Sequence, residues 1–323
     1  MTGRVVVCGA TGLIGRAVVA AYREAGRPVV TVGRGPESDV QWVDQAALRA
    51  AVNGAALALN LAGHSVNCRY TRENRAVILR SRTDTTHALS AAISAVAEPP
   101  PVWINASSAT IYRSEVYVPM TEDNGVAGEG FSPDVVRAWE AELFRQPLTE
   151  TRRVALRTSV VLASEGALVM YVRMARLGLG GAQVDGPWLQ GRRRWRAGTD
   201  HHYGTRGGRQ KFSWIHIDDV VRAIDFIEAQ PELSGPVNVS APTATDNRGF
   251  MTALRRVLGV RVGLPVHRWI LEPGAWLLRT ETELLLKSRW IRPEKLLDAG
   301  FEFRHPQLDE ALRDTLSPAS MEK

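Results

Sequence analysis

Residues 4–8, Arg-Val-Val-Val-Cys, open with a short, continuous apolar run. A β-branched run of that length, with no 3.6-residue period, predicts a buried strand of a parallel sheet. Three glycines fall within residues 9–15, and a helical pattern over 16–25 stops at Gly26, as helices commonly do. The alternation continues, with strands predicted at 28–32, 40–43, 56–61 and 102–106. Helices are predicted at 45–52 and within 71–96, the second ended by Pro99-Pro100-Pro101, since proline cannot continue a helix. Strands alternating with helices predict an α/β fold with a doubly wound parallel sheet and right-handed crossovers.

Farther along, the pattern predicts a helix over 133–144 and a sixth strand within 154–162. A helix over 168–177 then ends in Gly178, Gly180 and Gly181. Residues 182–211 are rich in Gly and Arg and hold no sustained period, which predicts a loop-rich excursion. A strand at 212–217 and a helix at 218–229 return to the core. The domain reading is therefore a core of residues 1–165 to which 212–234 return, and a smaller substrate lobe from 166–211 and 235–316. Residues 317–323 form a tail.

Composition narrows the class without naming a function. Hydrophobic residues are 45% and charged residues 23% of the 323, as in ordinary globular chains. The formal charge of +6 favours anionic ligands but specifies none. Two cysteines, Cys8 and Cys68, without a CxxC spacing, argue against a disulfide framework or structural zinc and fit a reducing compartment. The first strand begins too early to leave room for a signal peptide, and no uncharged apolar stretch nears the roughly 20 residues of a membrane span. A cytoplasmic protein with no membrane partner is expected.

The sharpest chemical signal is Gly9-Ala10-Thr11-Gly12-Leu13-Ile14-Gly15, a GxxGxxG between a predicted strand and a predicted helix. Gly9 permits a tight turn, Gly12 lets backbone approach a pyrophosphate, and Gly15 allows close helix–strand packing. The anion then rests on the unpaired N–H groups of Leu13, Ile14 and their neighbours at the positive end of the helix. In that context the motif predicts a dinucleotide on a Rossmann core. At the end of the second strand stands Arg34, where an NAD-selective site would carry a carboxylate for the ribose 2′-hydroxyl. A guanidinium there suits a 2′-phosphate, so NADP (NADPH) is the expected cofactor.

Further segments carry a resemblance. Gly9 to Gly15, Asn60-Leu61-Ala62-Gly63, Ser107-Ser108-Ala109-Thr110-Ile111-Tyr112 and the Phe212-Ser213-Trp214-Ile215-His216-Ile217-Asp218-Asp219 stretch together resemble extended, epimerase-type short-chain dehydrogenases/reductases. The narrower likeness is to an NAD-dependent epimerase/dehydratase-like branch. Ser81-Arg82, Trp139-Glu140, the glycines at 178, 180 and 181, and the C-terminal Pro293 and Gly300-Phe301 match it.

The resemblance implies that Thr11, Leu61, Ala62, Gly63 and Ser107 join the glycine turn in lining the cofactor, and that Ser108 holds a substrate oxygen. It also implies a departure. The tyrosine and lysine of the superfamily's Tyr-x-x-x-Lys pair fall at about Ser132 and Val136, neither of which can transfer the proton. Tyr112, one turn beyond Ser108, is the first candidate to replace the acid. His216 is the second and Tyr203 the third, while Asp218 and Asp219 suit a helix cap.

The link over 182–208 is longer than the resemblance leads one to expect. It carries Arg192-Arg193-Arg194-Trp195-Arg196 and His201-His202-Tyr203-Gly204. This segment reads either as a lid selecting an acidic or phosphorylated substrate or as a solvated loop. Arg-Trp interleaving without a recognised module predicts no specific nucleic-acid partner. Adjacent histidines point apart in extended chain and lack a third ligand, so no metal is expected.

The functional expectation is an NADP(H)-dependent oxidoreductase or epimerase-like enzyme acting on a small polar substrate, with a homodimer allowed for. The rivals are a cofactor-sensing or partner-binding protein on the same fold and an enzyme of non-redox chemistry.

Overall fold

The computed structural model describes residues 3–186, 188, 192–196, 199, 201 and 203–317. Strands β1 (Val5–Cys8), β2 (Val29–Gly33), β3 (Val40–Gln41), β4 (Leu57–Asn60), β5 (Val102–Ser108) and β6 (Arg152–Thr158) join the strand Gly235–Val239 in one seven-stranded sheet. Its order is Gly235–Val239, β6, β5, β4, β1, β2, β3, and every pairing is parallel. The chain winds outward from β1 through β3, then crosses back to lay β4 against β1 on the other side. That reversal opens a crevice beyond the carboxyl ends of β1 and β4, where ligands of such sheets bind.

Both faces of this sheet are covered, which is why its strands read as unbroken apolar runs. Val5, Val7, Leu57 and Leu59 pack on one face against helix α1 (Leu13–Glu24) and helix Ile217–Ala229. Their alternate neighbours Val6, Cys8 and Ala58 pack on the other against α2 (Gln45–Val52) and α3 (Arg72–Ser94), as the two-residue period of a strand requires. Burial pushes the Cys8 thiol far up from its ordinary range, so it behaves as a small hydrophobe.

A separate apolar cluster holds the C-terminal region, built on Trp214, Phe250, Leu254, Leu271 and Leu312. Two boundaries differ from the sequence reading. Gly235–Val239 is the edge strand of the main sheet, paired with β6, so the return to the core runs through Val239. The chain after β6 also bends at Ser159, and Val160–Leu162 pairs with Trp214–His216 in a sheet of its own. His202 and residues 318–323 of the tail lie outside the described residues.

Candidate active site

The glycine turn is fixed by contacts that admit no side chain at two of its three glycines. Gly9 has φ +76°, and a Cβ there would come within 2.8 Å of Ala62 N and Leu61 C. A Cβ on Gly15 would lie 2.3 Å from Gly9 O. Gly12 differs. It is exposed, and a Cβ on it would meet only Gly9 O at 3.4 Å. Protein packing thus explains Gly9 and Gly15, whereas the bare backbone at Gly12 leaves space on the solvent side of the turn. Gly12 is also the N-cap of α1, with no side-chain cap and no acidic residue in the first turn. The opening amides of Leu13, Ile14 and Gly15 therefore have no capping group of the chain's own, which fits a pyrophosphate.

Across the crevice, Asn60 is fully buried and shapes the facing turn. Its amide donates to Asn105 Oδ1 at 2.8 Å and Thr86 Oγ1 at 3.3 Å, while its Oδ1 accepts from Ala62 N at 3.1 Å. Leu61 N donates to Cys8 O, so this turn and the glycine turn abut. Ser81 and Arg82 pin it from below. Ser81 Oγ accepts from His64 N at 2.9 Å, and Arg82 donates to the His64 carbonyl at 3.1 Å. Gly63 lies close above the Arg82 guanidinium, 3.3 Å from a built Cβ to Cζ. That guanidinium also packs over the Trp139 ring, and burial lowers its pKa to about 10.

At the end of β2, Arg34 is exposed. Asp39, a carboxylate of the same turn, accepts from Thr31 N at 2.8 Å and Thr31 Oγ1 at 2.7 Å. Those bonds hold its carboxyl below the usual range and occupy it away from a ribose.

At the end of β5 the structure separates residues that the sequence groups together. Ser107 donates to Glu140 Oε1 at 2.5 Å, so its hydroxyl belongs to the interior and only its backbone can line a cofactor. Glu140 is gripped twice by Arg157, at 2.8 and 2.7 Å. Arg157 in turn donates to the Tyr112 hydroxyl at 2.8 Å, and that hydroxyl donates to Asn238 Oδ1 at 2.9 Å. Tyr112 is 2% exposed, and burial raises its pKa. It therefore ties the β5 turn to the edge strand, and its hydroxyl is already committed as both donor and acceptor.

Ser108 stays at the cleft, partly exposed. Its Oγ accepts from Thr110 N at 3.2 Å and Thr110 Oγ1 at 3.0 Å, which leaves its own O–H to donate outward. Thr110 also meets a lysine from the C-terminal region, one that the sequence does not flag. Lys287, 5% exposed, donates to the Thr110 carbonyl at 2.9 Å. Ser132 donates to Glu283 Oε2 at 3.1 Å, and Val136 is buried among Ala109, Ile111 and Met120.

His216 sits elsewhere. It caps helix Ile217–Ala229, its Nδ1 accepting from Asp218 N at 3.2 Å, and its ring lies 3.9 Å from that of His305. His216, Asp218, His305 and Asp314 bring ligating atoms within 4.8 Å of one another. With Nδ1 accepting, the proton of neutral His216 is on Nε2, facing Asp314 Oδ2 at 3.3 Å. A metal would need that nitrogen bare. Desolvation, then the His305 charge, hold the pKa of His216 down. The cluster works as a helix cap, with His216 Nε2 facing Asp314, and its contacts run to the C-terminal helix rather than to Ser108.

The described part of the 182–208 link is anchored. Asp185 accepts from Tyr203 N and Gly204 N and from the 1%-exposed Arg268 at 3.0 Å. Arg268 reaches Glu272 Oε1 and His201 O, and Arg194 joins Glu272 to Glu281 at 2.9 and 2.5 Å. Arg69, from the turn after β4, completes the chain with Glu281 at 3.4 Å. A run of alternating charges thus ties the link and the C-terminal region to the rim of the cofactor crevice. Tyr203 belongs to this anchored segment, packed on His201.

Residues 5–127 match the NAD dependent epimerase/dehydratase family, and residues 268–315 match a domain of unknown function, DUF1731. The epimerase family protein Mb2239 of Mycobacterium bovis is 30% identical over 315 residues, covering 95% of this chain and 96% of that protein. The mouse epimerase family protein SDR39U1 is 29% identical over 97% of this chain and its own full length. The crystal structure of human SDR39U1 with NADPH superposes with a TM-score of 0.82 at 27% identity, covering 99% of both chains. No helix among the described residues is long and apolar enough to cross a membrane.

Proposed function

The chain belongs to the epimerase family of extended short-chain dehydrogenases/reductases, and from that premise we propose that it is an NADP(H)-dependent oxidoreductase or epimerase-like enzyme acting on a small polar substrate. One observation carries the reading. The glycine that packing does not require, Gly12, is the one that opens an uncapped helix N-terminus onto the crevice between β1 and β4. The NADPH bound by the human relative supports the choice of cofactor, as does Arg34 in place of a ribose-binding carboxylate.

When bound, the dinucleotide supplies hydride chemistry. This chain's own residues do the rest. The Leu13, Ile14 and Gly15 amides hold the pyrophosphate, Arg34 meets the 2′-phosphate, and Leu61, Ala62 and Gly63 offer close backbone along the crevice. Ser108, with its O–H directed outward, positions the substrate oxygen.

The test is a pair of measurements. NADPH titration by fluorescence is expected to give binding for the wild type and its loss in a folded Gly12→Val variant, whose branched side chain blocks the phosphates. NADPH oxidation over a panel of aldehydes, ketones and keto-sugars is expected to yield a substrate whose turnover falls in Ser108→Ala while NADPH affinity holds. A folded Gly12→Val that binds NADPH normally overturns the phosphate site. A substrate turned over at full rate by Ser108→Ala overturns the role of Ser108.

A further inference from the structure

Only four of the chain's 40 basic residues are lysines: Lys211, Lys287, Lys295 and Lys323. Lys211 lies over the Trp290 ring at 4.3 Å, and Lys295 bonds the Ser234 carbonyl at the surface. Lys323 lies outside the described residues. Lys287 stands apart, with its stem buried and its ammonium carried from the C-terminal region to the end of β5. There its one hydrogen bond among the described residues is to the Thr110 carbonyl, and no carboxylate among them pairs with it. An ammonium has three donors, and a buried charge with one neutral acceptor is costly unless something else answers it.

The surroundings say what would answer it. Thr110 bonds the Ser108 hydroxyl, so Lys287 and Ser108 share one residue as a common support. Two charged side chains act on the ammonium, Arg289 and, more weakly, Glu283. Glu283 is engaged by Ser132. The local balance is positive, and it favours an anion of small size. Lys287, Arg289 and Lys211 line a narrow space with Ser213 and Gln210. Resting on the reading of Ser108 above, we propose that Lys287 is the anion-binding residue of the substrate site and holds a carboxylate of a small substrate whose oxygen Ser108 positions. Arginine could offer charge but could not shed it. Burial and the neighbouring Arg289 bring the Lys287 pKa down to about 8, so this grip loosens in mildly alkaline solution.

Oxalate is a suitable probe, measured by calorimetry on the full chain with and without NADPH. Lys287→Met is expected to weaken oxalate binding about tenfold or more, the worth of one charged hydrogen bond. Lys295→Met, at the surface on the Ser234 carbonyl, is expected to leave it unchanged. Wild-type affinity is expected to fall as the pH rises through about 8, whereas Lys287→Arg binds with no such fall, a signature that a purely structural tether would not produce. Equal oxalate affinity in wild type and a folded Lys287→Met overturns the proposal. So does a wild type that shows no oxalate binding at about 10 mM, a weak-binding limit on the affinity scale, or that binds inorganic phosphate in its place. NADPH titration of Lys287→Met separates the two readings. Retained NADPH binding with lost oxalate binding supports both, and a wild type that fails to bind NADPH overturns the proposed function instead.

Discussion

At the glycine turn the polar groups left without a capping partner are backbone amides of three consecutive residues, Leu13, Ile14 and Gly15, held by close packing of Gly9 and Gly15. On the opposite rim the polar groups are side chains gathered from residues 69, 194, 268, 272 and 281, paired with one another as alternating charges. The first side draws on local geometry, which a short motif encodes in full. The second side exists only once distant segments have met, and each of its members depends on another to offset the cost of burial. Damage on the two sides should therefore differ in kind. Changes in the turn should cost ligand affinity, and changes in buried charge should cost folding.

The largest effect is expected at the interior pair that anchors the β5 end. Arg157→Met leaves Glu140 buried without its bidentate partner and deprives Tyr112 of a donor. Breaking such a pair costs about 3–5 kcal/mol, to be read as a lowered urea midpoint with an unchanged slope. A midpoint within error of wild type would remove the folding cost assigned to breaking a buried charge pair.

Next comes pH. His201, 8% exposed and lodged beside Arg268, has its pKa lowered to about 4 by desolvation first and by the Arg268 charge second. The unfolded chain takes up that proton near the ordinary value of 6.5, the folded chain only near 4. Stability is therefore full above about pH 6.5 and is lost as the pH falls toward 4, by up to ~3 kcal/mol. His216, also lowered, adds in the same direction. Urea unfolding at a series of pH values should show this slope, and His201→Gln should flatten it. An unchanged slope would place the acid sensitivity elsewhere.

A smaller effect is expected at Arg34. Arg34→Ala should weaken NADPH by roughly ten- to thirtyfold while sparing NADH, as for loss of one charged contact. Equal loss for both cofactors would move the 2′-phosphate contact to another residue. The finest test lies within the turn itself. Gly15→Ala drives a methyl group against Gly9 O and should cost about 1–3 kcal/mol of folding. Gly12→Ala should cost about 1 kcal/mol or less and act mainly on the cofactor. Equal destabilisation by the two would mean that Gly12 is also there for packing.

The parallel sheet and its first six strands were legible because β-branched runs and helix stops are local signals. The edge strand Gly235–Val239 was not, since a five-residue run with Gly and Pro at its start gives no sign of lying next to β6. Ser108 stands at the end of β5, as the sequence places it, and is partly exposed. Its neighbours misled: Ser107 and Tyr112 stand one and four residues away in sequence, yet their hydroxyls face the interior, toward Glu140 and Asn238. Lys287, proposed above as an anion site, carries no such local signal. It is 177 residues from the carbonyl it bonds, and the one available signal was its rarity in a chain that uses arginine almost everywhere.

The sequence by itself determined the alternation of strands and helices, the glycine turn and the arginine that follows β2, because each depends on the conformational reach of a few adjacent residues. Tertiary structure alone decided which hydroxyls face the cleft, that His216 caps a helix, and that Lys287 reaches the Thr110 carbonyl. Those outcomes follow from burial, since a polar group taken out of water must find its partner wherever the folded chain brings one.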